Sequence, residues 1–283
     1  MKNLTLLIIT AIFLTSCGKE EATPIEIKEK EKIILEVKAA AEYPLVLKST
    51  ESYVGVEYYK DYSEKDIVTV TINNLEASSV SEITENYQLS TSHFASKSLF
   101  KLPKITEPGD FKINISIKNS QQTITGEGTI RIVSDYSLPT VWSKLDRNYV
   151  NSRYFYIDRS TISSFTMRPI QYRDNEVQIG AFLSTLGDKD LYTNKPFIVG
   201  LPGLYTLTYS GNSLQQVKII NGDKIVDQNF IVANFYANLT MVYGTGIVQP
   251  QTNNNKVTIF KSGAFQLTVT ETPREVSTII TLQ

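Results

Sequence analysis

Cysteine, histidine and tryptophan each occur once in the 283 residues, as Cys17, His93 and Trp142. A single cysteine forms no internal disulfide, so the fold rests on packing alone. A structural zinc site needs several His or Cys ligands, which this composition does not supply. Any Ser-His-Asp or Cys-His arrangement would depend wholly on His93, which sits in the polar stretch 89–94 and reads as an exposed loop residue. No phosphate-binding glycine loop and no dinucleotide fingerprint occurs. Charge of one sign is also missing: 28 basic and 29 acidic residues leave a net charge of −1, so nucleic acid is not an expected partner. Nor is there an apolar run of the roughly 18 residues that a membrane-spanning helix needs.

What the chain does have begins at its start. Met1, Lys2 and Asn3 carry positive charge, residues 4–14 (LTLLIITAIFL) are apolar apart from two threonines, and Thr15, Ser16, Cys17 and Gly18 follow. A charged start, a short apolar run and small residues at a cut form the layout of a secretory signal. Leu14-Thr15-Ser16-Cys17 resembles the lipobox of bacterial lipoproteins, an apolar residue and two small ones before an obligatory cysteine. The resemblance implies removal of residues 1–16, diacylglycerol on the Cys17 thiol and an acylated new N-terminus. One acyl chain holds a protein to a bilayer only marginally, whereas two or three on one residue anchor it stably. Membrane lipid is thus the expected partner of Cys17.

Lys19, Glu20 and Glu21 resemble the surface-export signal of lipoproteins in one large group of Gram-negative bacteria. They imply an outer-membrane location facing the cell exterior. Residues 17–32 hold one proline, few apolar residues and alternating charges, the composition of a solvated tether. Such a tether can reach roughly 50 Å.

Beyond residue 33 the period of the apolar pattern becomes two. Phe111, Ile113, Ile115 and Ile117 alternate with Lys112, Asn114, Ser116 and Lys118, predicting a strand with one wet face. Residues 67–72 (IVTVTI) and 129–133 (TIRIV) predict two more, the second pairing with 111–118. The run of Gly109, Phe111, Ile113 and Ile115 recurs as Gly203, Tyr205, Leu207 and Tyr209, and again as Gly263, Phe265, Leu267 and Val269. Pro108 and Pro202 precede the first two glycines. This resembles the penultimate strand of immunoglobulin-like and PKD-like β-sandwich modules.

The expected architecture is therefore all-β, with tandem β-sandwich (immunoglobulin-like) domains after a cleaved signal peptide and a flexible tether. Residues 33–134 have the size of one seven-stranded sandwich. Residues 135–140, with Pro139, mark the junction. Residues 135–283 form a second, larger β domain, with division into two small ones left open. Residues 141–150 (VWSKLDRNYV) are the one place where helical spacing is expected.

Chemistry is sparse in what remains. Asp188, Lys189 and Asp190, and likewise Asp61, Glu64 and Asp66, offer carboxylates, but neither set fits a calcium loop with its glycine and distal glutamate. No metal, cofactor or catalytic residue is expected. Aromatics are the richer resource, with 16 Tyr and 12 Phe. Trp142, Tyr58, Tyr59, Tyr154 and Tyr156 are the candidate platforms for a sugar ring or a protein surface. The leading expectation is a non-enzymatic binding module for a glycan or protein ligand, accessory to an outer-membrane uptake system. A structural, assembly or adhesion role in the envelope is the alternative, and a carboxylate-based hydrolase comes third.

Overall fold

The alternation at 111–118 becomes the strand Gly109–Lys118, with Ile113, Ile115 and Ile117 buried and the residues between them turned outward. A tight turn at 119–122 returns the chain as Thr123–Val133, antiparallel, with Lys118 opposite Thr123 and Ile132 opposite Gly109. Asn119 closes this turn, its Oδ1 accepting the backbone N–H groups of Gln121 and Gln122 at 2.8 Å each. The structure is a computed structural model. It describes residues 30–41, 44–80, 85–91, 93–152, 155–156, 164–167, 171–173, 175–179, 198–251 and 253–283. Cys17, Lys19, Glu20, Glu21, Tyr154, Asp188 and Asp190 lie outside the described residues.

The protein is an all-β sandwich fold. In its first half, Ile34–Ala41, Tyr53–Lys60, His93–Lys101 and Glu85–Ser90 pair in that order. Ile67–Ile72, Gly109–Lys118 and Thr123–Val133 pair in a second series. Four strands in one series and three in the other form the two layers of a β-sandwich. Leu45–Leu47 leaves the first series and runs parallel to Arg131–Val133 in the second.

Between the sheets lies one apolar core. Val37, Val54, Val56 and Tyr58 face Val70, Ile72, Ile113, Ile115, Ile117, Ile124 and Ile130. Each fully buried aliphatic side chain of this kind contributes about 1.5–3 kcal/mol. Two short strands from beyond the expected junction extend the sandwich. Phe155–Tyr156 pairs with Ile34–Ala41, and Ser164–Met167 runs parallel to Thr123–Val133. These two also pair with each other, so they bridge the sheets along one side.

The second half is built on an eight-stranded antiparallel sheet. Its order is Gln171–Arg173, Glu176–Ile179, Leu204–Ser210, Ser213–Asp223, Glu275–Leu282, Phe265–Glu271, Lys256–Ser262 and Ile247–Val248. One face buries Tyr205, Leu207, Val217, Ile219, Leu267, Val269, Val276 and Ile280. Helical residues cover that face. Leu138–Lys144 and Arg147–Asn151 supply Leu138, Val141, Tyr149 and Val150, and Val232–Tyr243 supplies Phe235 and Leu239. The helical spacing expected at 141–150 is thus two short helices broken at Leu145 and Asp146. Val232–Tyr243 has no counterpart among the sequence expectations. Among the described residues, no helix is long and apolar enough to cross a membrane.

The repeated glycine-aromatic pattern opens three strands, and at Gly203 the physical need for glycine is sharp. Its φ is +134°, and a Cβ there would lie 2.1 Å from the carbonyl oxygen of Ile220 on the neighbouring strand. Gly203→Ala is expected to destabilise the fold by about 2–3 kcal/mol through backbone strain and overpacking. Urea titration checks this as a lower midpoint at unchanged slope.

Candidate functional site

The two halves meet through side chains that belong to both. Leu45 and Val133, on sandwich strands, are buried in the core of the second half. Tyr149, from helix Arg147–Asn151, reaches back: its hydroxyl accepts the backbone N–H of Arg131 at 2.7 Å and donates to the carbonyl of Pro44. Tyr136 makes a similar link, accepting the N–H of Leu47 at 3.1 Å.

Beside this seam opens a cleft of about 540 Å³. Arg131 and Asp110 form its floor. They are directly opposite on the paired strands Gly109–Lys118 and Thr123–Val133, which places guanidinium and carboxylate fork to fork. Arg131 Nε donates to Asp110 Oδ1 at 2.7 Å and Nη2 to Oδ2 at 2.9 Å. Nη1 donates to Asp146 Oδ2 at 3.0 Å and to the Lys144 carbonyl. The guanidinium also lies over the Tyr149 ring, 4.0 Å from its centroid.

Asp146 has a second duty as the N-cap of Arg147–Asn151, accepting the Tyr149 N–H at 2.8 Å. The hydrogen bonds from Arg131 hold the Asp110 carboxyl below the usual carboxylate range, and those same bonds raise the guanidinium. Asp110 and Arg131 therefore both stay ionised at physiological pH.

Ser134, Thr140, Ser143 and Lys144 complete the wall. Thr140, Ser143 and Lys144 project from helix Leu138–Lys144 or its last turn, beside the sandwich strand end. Nearby Asp135 accepts the Ser137 hydroxyl and the Ser137 N–H, and these bonds push its carboxyl down to about 2. The lining pairs two cations with two carboxylates and three hydroxyls. Among the described residues that line it there is no thiol, histidine or aromatic face. Such a surface can hydrogen-bond a polar, hydroxyl-rich ligand in several directions at once.

Of the aromatics nominated from the sequence, Trp142, Tyr58 and Tyr59 do not line this cleft. Trp142 is on the right helix but turns the other way, packing half-buried against Phe265 with ring centroids 5.3 Å apart. Tyr58 is 1% exposed and belongs to the sandwich core, so it offers no platform to a ligand. Tyr59 is half-buried, its hydroxyl donating to Glu57 at 3.0 Å. Tyr156 lies in the short bridging strand. Trp142 and Tyr58 thus belong to different cores. His93 is exposed at the start of its strand, with Nδ1 3.0 Å from Ser90 Oγ.

Tyr58 does take part in a second polar cluster, at the end of the sandwich where Ile33 enters the fold. Its hydroxyl donates to Asp66 Oδ2 at 2.8 Å, and that of Tyr62 donates to Oδ1 at 2.9 Å. Lys60 Nζ donates to Asp66 Oδ2, also at 2.8 Å, and to the Glu64 carbonyl. Both charged side chains of this pair are fully buried. Asp61 and Glu64 have other partners, the Ile33 N–H at 2.9 Å and Lys32 at 3.4 Å. Among the described residues, no group of three or more His, Cys, Asp or Glu side chains is gathered as a metal site would require.

Arg131, Asp110, Lys144 and Asp146 were not singled out from the sequence. The signal for the first two was present: a turn at 119–122 fixes the register, which sets Asp110 opposite Arg131. No protein-family model matches the chain, and no curated protein matches it.

Proposed function

We propose that this chain is a lipid-anchored envelope protein, facing the cell exterior, that binds a polar, hydroxyl-rich ligand and does not transform it. The observation that carries the binding half of this reading is the cleft, walled by Asp110, Arg131, Lys144, Asp146 and three hydroxyls at the seam between the two cores. A fixed carboxylate-guanidinium fork beside hydroxyl groups suits a saccharide, which presents donors and acceptors on neighbouring carbons. The described wall residues recognise such a ligand by hydrogen bonding. The anchoring half rests on Cys17 and its flanks, and the tether at 17–32 gives the folded part its reach.

A glycan array probed with the protein lacking residues 1–17 tests the binding half. Lys144→Ala and Ser143→Ala are expected to weaken a detected ligand tenfold or more, about 1.4 kcal/mol. An array with no signal, or a ligand bound equally by both variants, would count against this site.

One observation favours a second reading, an assembly role. Met241, Ile247 and Val248 are 80%, 60% and 58% exposed, and Ile247–Val248 is the outer strand of the eight-stranded sheet. An apolar sheet edge is a place where other chains add. A protein partner released by Ile247→Lys, and unaffected by the cleft variants, would favour this role over ligand binding.

A further inference from the structure

A lysine and an aspartate buried together without solvent are a costly way to stabilise a sandwich, because each charge loses its hydration. Lys60 and Asp66 are such a pair, 2.8 Å apart with neither side chain exposed. They flank the loop between strands Tyr53–Lys60 and Ile67–Ile72, at the end of the fold where the chain arrives from residues 17–32. Two tyrosine hydroxyls aim at the same carboxyl, one at each oxygen.

We propose that Lys60 and Asp66 condense within the folded protein to an intramolecular amide, with Tyr62 and Tyr58 as the hydrogen-bond donors that promote the reaction. This inference is independent of the ligand-binding reading. The first step moves one proton along the hydrogen bond from Nζ to Oδ2, converting the ion pair to amine and carboxylic acid. The Nζ lone pair then attacks Asp66 Cγ, and the carbonyl electron pair moves to Oδ1. There the Tyr62 hydroxyl, 2.9 Å away, donates to the developing oxyanion.

On collapse the C–Oδ2 bond breaks and the C–N bond is complete. Oδ2 leaves as water, carrying the carboxyl proton and one further proton from Nζ, while the Tyr58 hydroxyl supports the departing oxygen at 2.8 Å. One amine and one acid give one amide and one water, with no change of oxidation state and no co-reactant. Burial raises both tyrosine hydroxyls well above their ordinary range, so they remain protonated donors throughout.

The position gives the bond a purpose. Asn119 Nδ2 donates both to the Tyr62 hydroxyl at 3.0 Å and to the Lys32 carbonyl at 3.3 Å, and Asp61 holds the Ile33 N–H. The cross-link would therefore lock the loop that grips the incoming chain, where a pull from the N-terminal side is first felt.

Tryptic mapping of the full chain tests the proposal without any substitution. Trypsin does not cut after an acylated lysine but still cuts after Lys48, Lys65 and Lys97. The expected product is residues 49–65 joined to residues 66–97, lighter by one water than the two peptides together. Lys60→Arg, which keeps the charge, is expected to abolish that species. Tyr62→Phe is expected to slow its appearance after synthesis roughly a hundredfold, the usual cost of one oxyanion donor. A free peptide ending at Lys60, with residues 66–97 unlinked, would overturn the proposal, and an unchanged rate in Tyr62→Phe would overturn the role of that hydroxyl.

Discussion

Replacing Cys17 with serine is expected to move the protein from the membrane fraction to the soluble fraction nearly completely. A serine hydroxyl is not a substrate for thiol acylation, so every acyl chain on the residue would be lost. Each buried methylene contributes roughly 0.8 kcal/mol to membrane partitioning, and two or three chains place the equilibrium far on the bound side. The described residues contain no spanning helix to compensate. Fractionation with sodium carbonate washing measures the effect. Retention of the serine variant in membranes would show that something other than Cys17 holds the protein there.

The second large effect is expected at Arg131. Removal of this side chain deletes two hydrogen bonds to Asp110, one to Asp146, one to the Lys144 carbonyl, and the stacking on Tyr149. Charge-assisted hydrogen bonds contribute about 1.5–3 kcal/mol when desolvated, and the ring contact about 0.5–1 kcal/mol. Asp110 and Asp146 are partly exposed and regain water, which offsets part of the loss. Arg131→Ala is therefore expected to destabilise the protein by about 2–4 kcal/mol. Arg131→Lys is expected to recover less than half, because an ammonium cannot reproduce the planar fork. Denaturant unfolding gives the numbers, and Arg131→Lys as stable as the native protein would contradict the bidentate account. The same variants are expected to weaken any ligand that a glycan array detects for the cleft, since the arginine orders both carboxylates.

Strands with one wet face could be read directly. The run at 111–118 alternates strictly, those at 67–72 and 129–133 do so over most of their length, and a short turn fixes how 111–118 and 129–133 pair. The bridging strands Phe155–Tyr156 and Ser164–Met167 carry two and four residues, too few for alternation to register, and their pairing is set by the sandwich they complete. Helix Val232–Tyr243 was open to reading in principle. Val232, Phe235, Tyr236, Leu239 and Tyr243 recur at helical intervals. Its start hides it, because Ile231 stands at the N-cap without a side-chain hydrogen bond where Ser or Asp would have announced a helix.

The cleft was half legible. Asp110 and Arg131 follow from register, but Asp146 and Tyr149 arrive through packing of a short helix against the sandwich. No local pattern encodes that contact. Abundance of tyrosine likewise says nothing about which faces are wet. Tyr58 went to the core because the alternation of Tyr53–Lys60 points it inward with Val54 and Val56.

The most direct measurement is the mass of the mature N-terminal peptide, isolated from the membrane-bound protein after proteolysis. The account predicts a peptide beginning at Cys17 and carrying a diacylglycerol thioether. A peptide beginning at Met1, or one beginning at Cys17 with a free thiol, would contradict it.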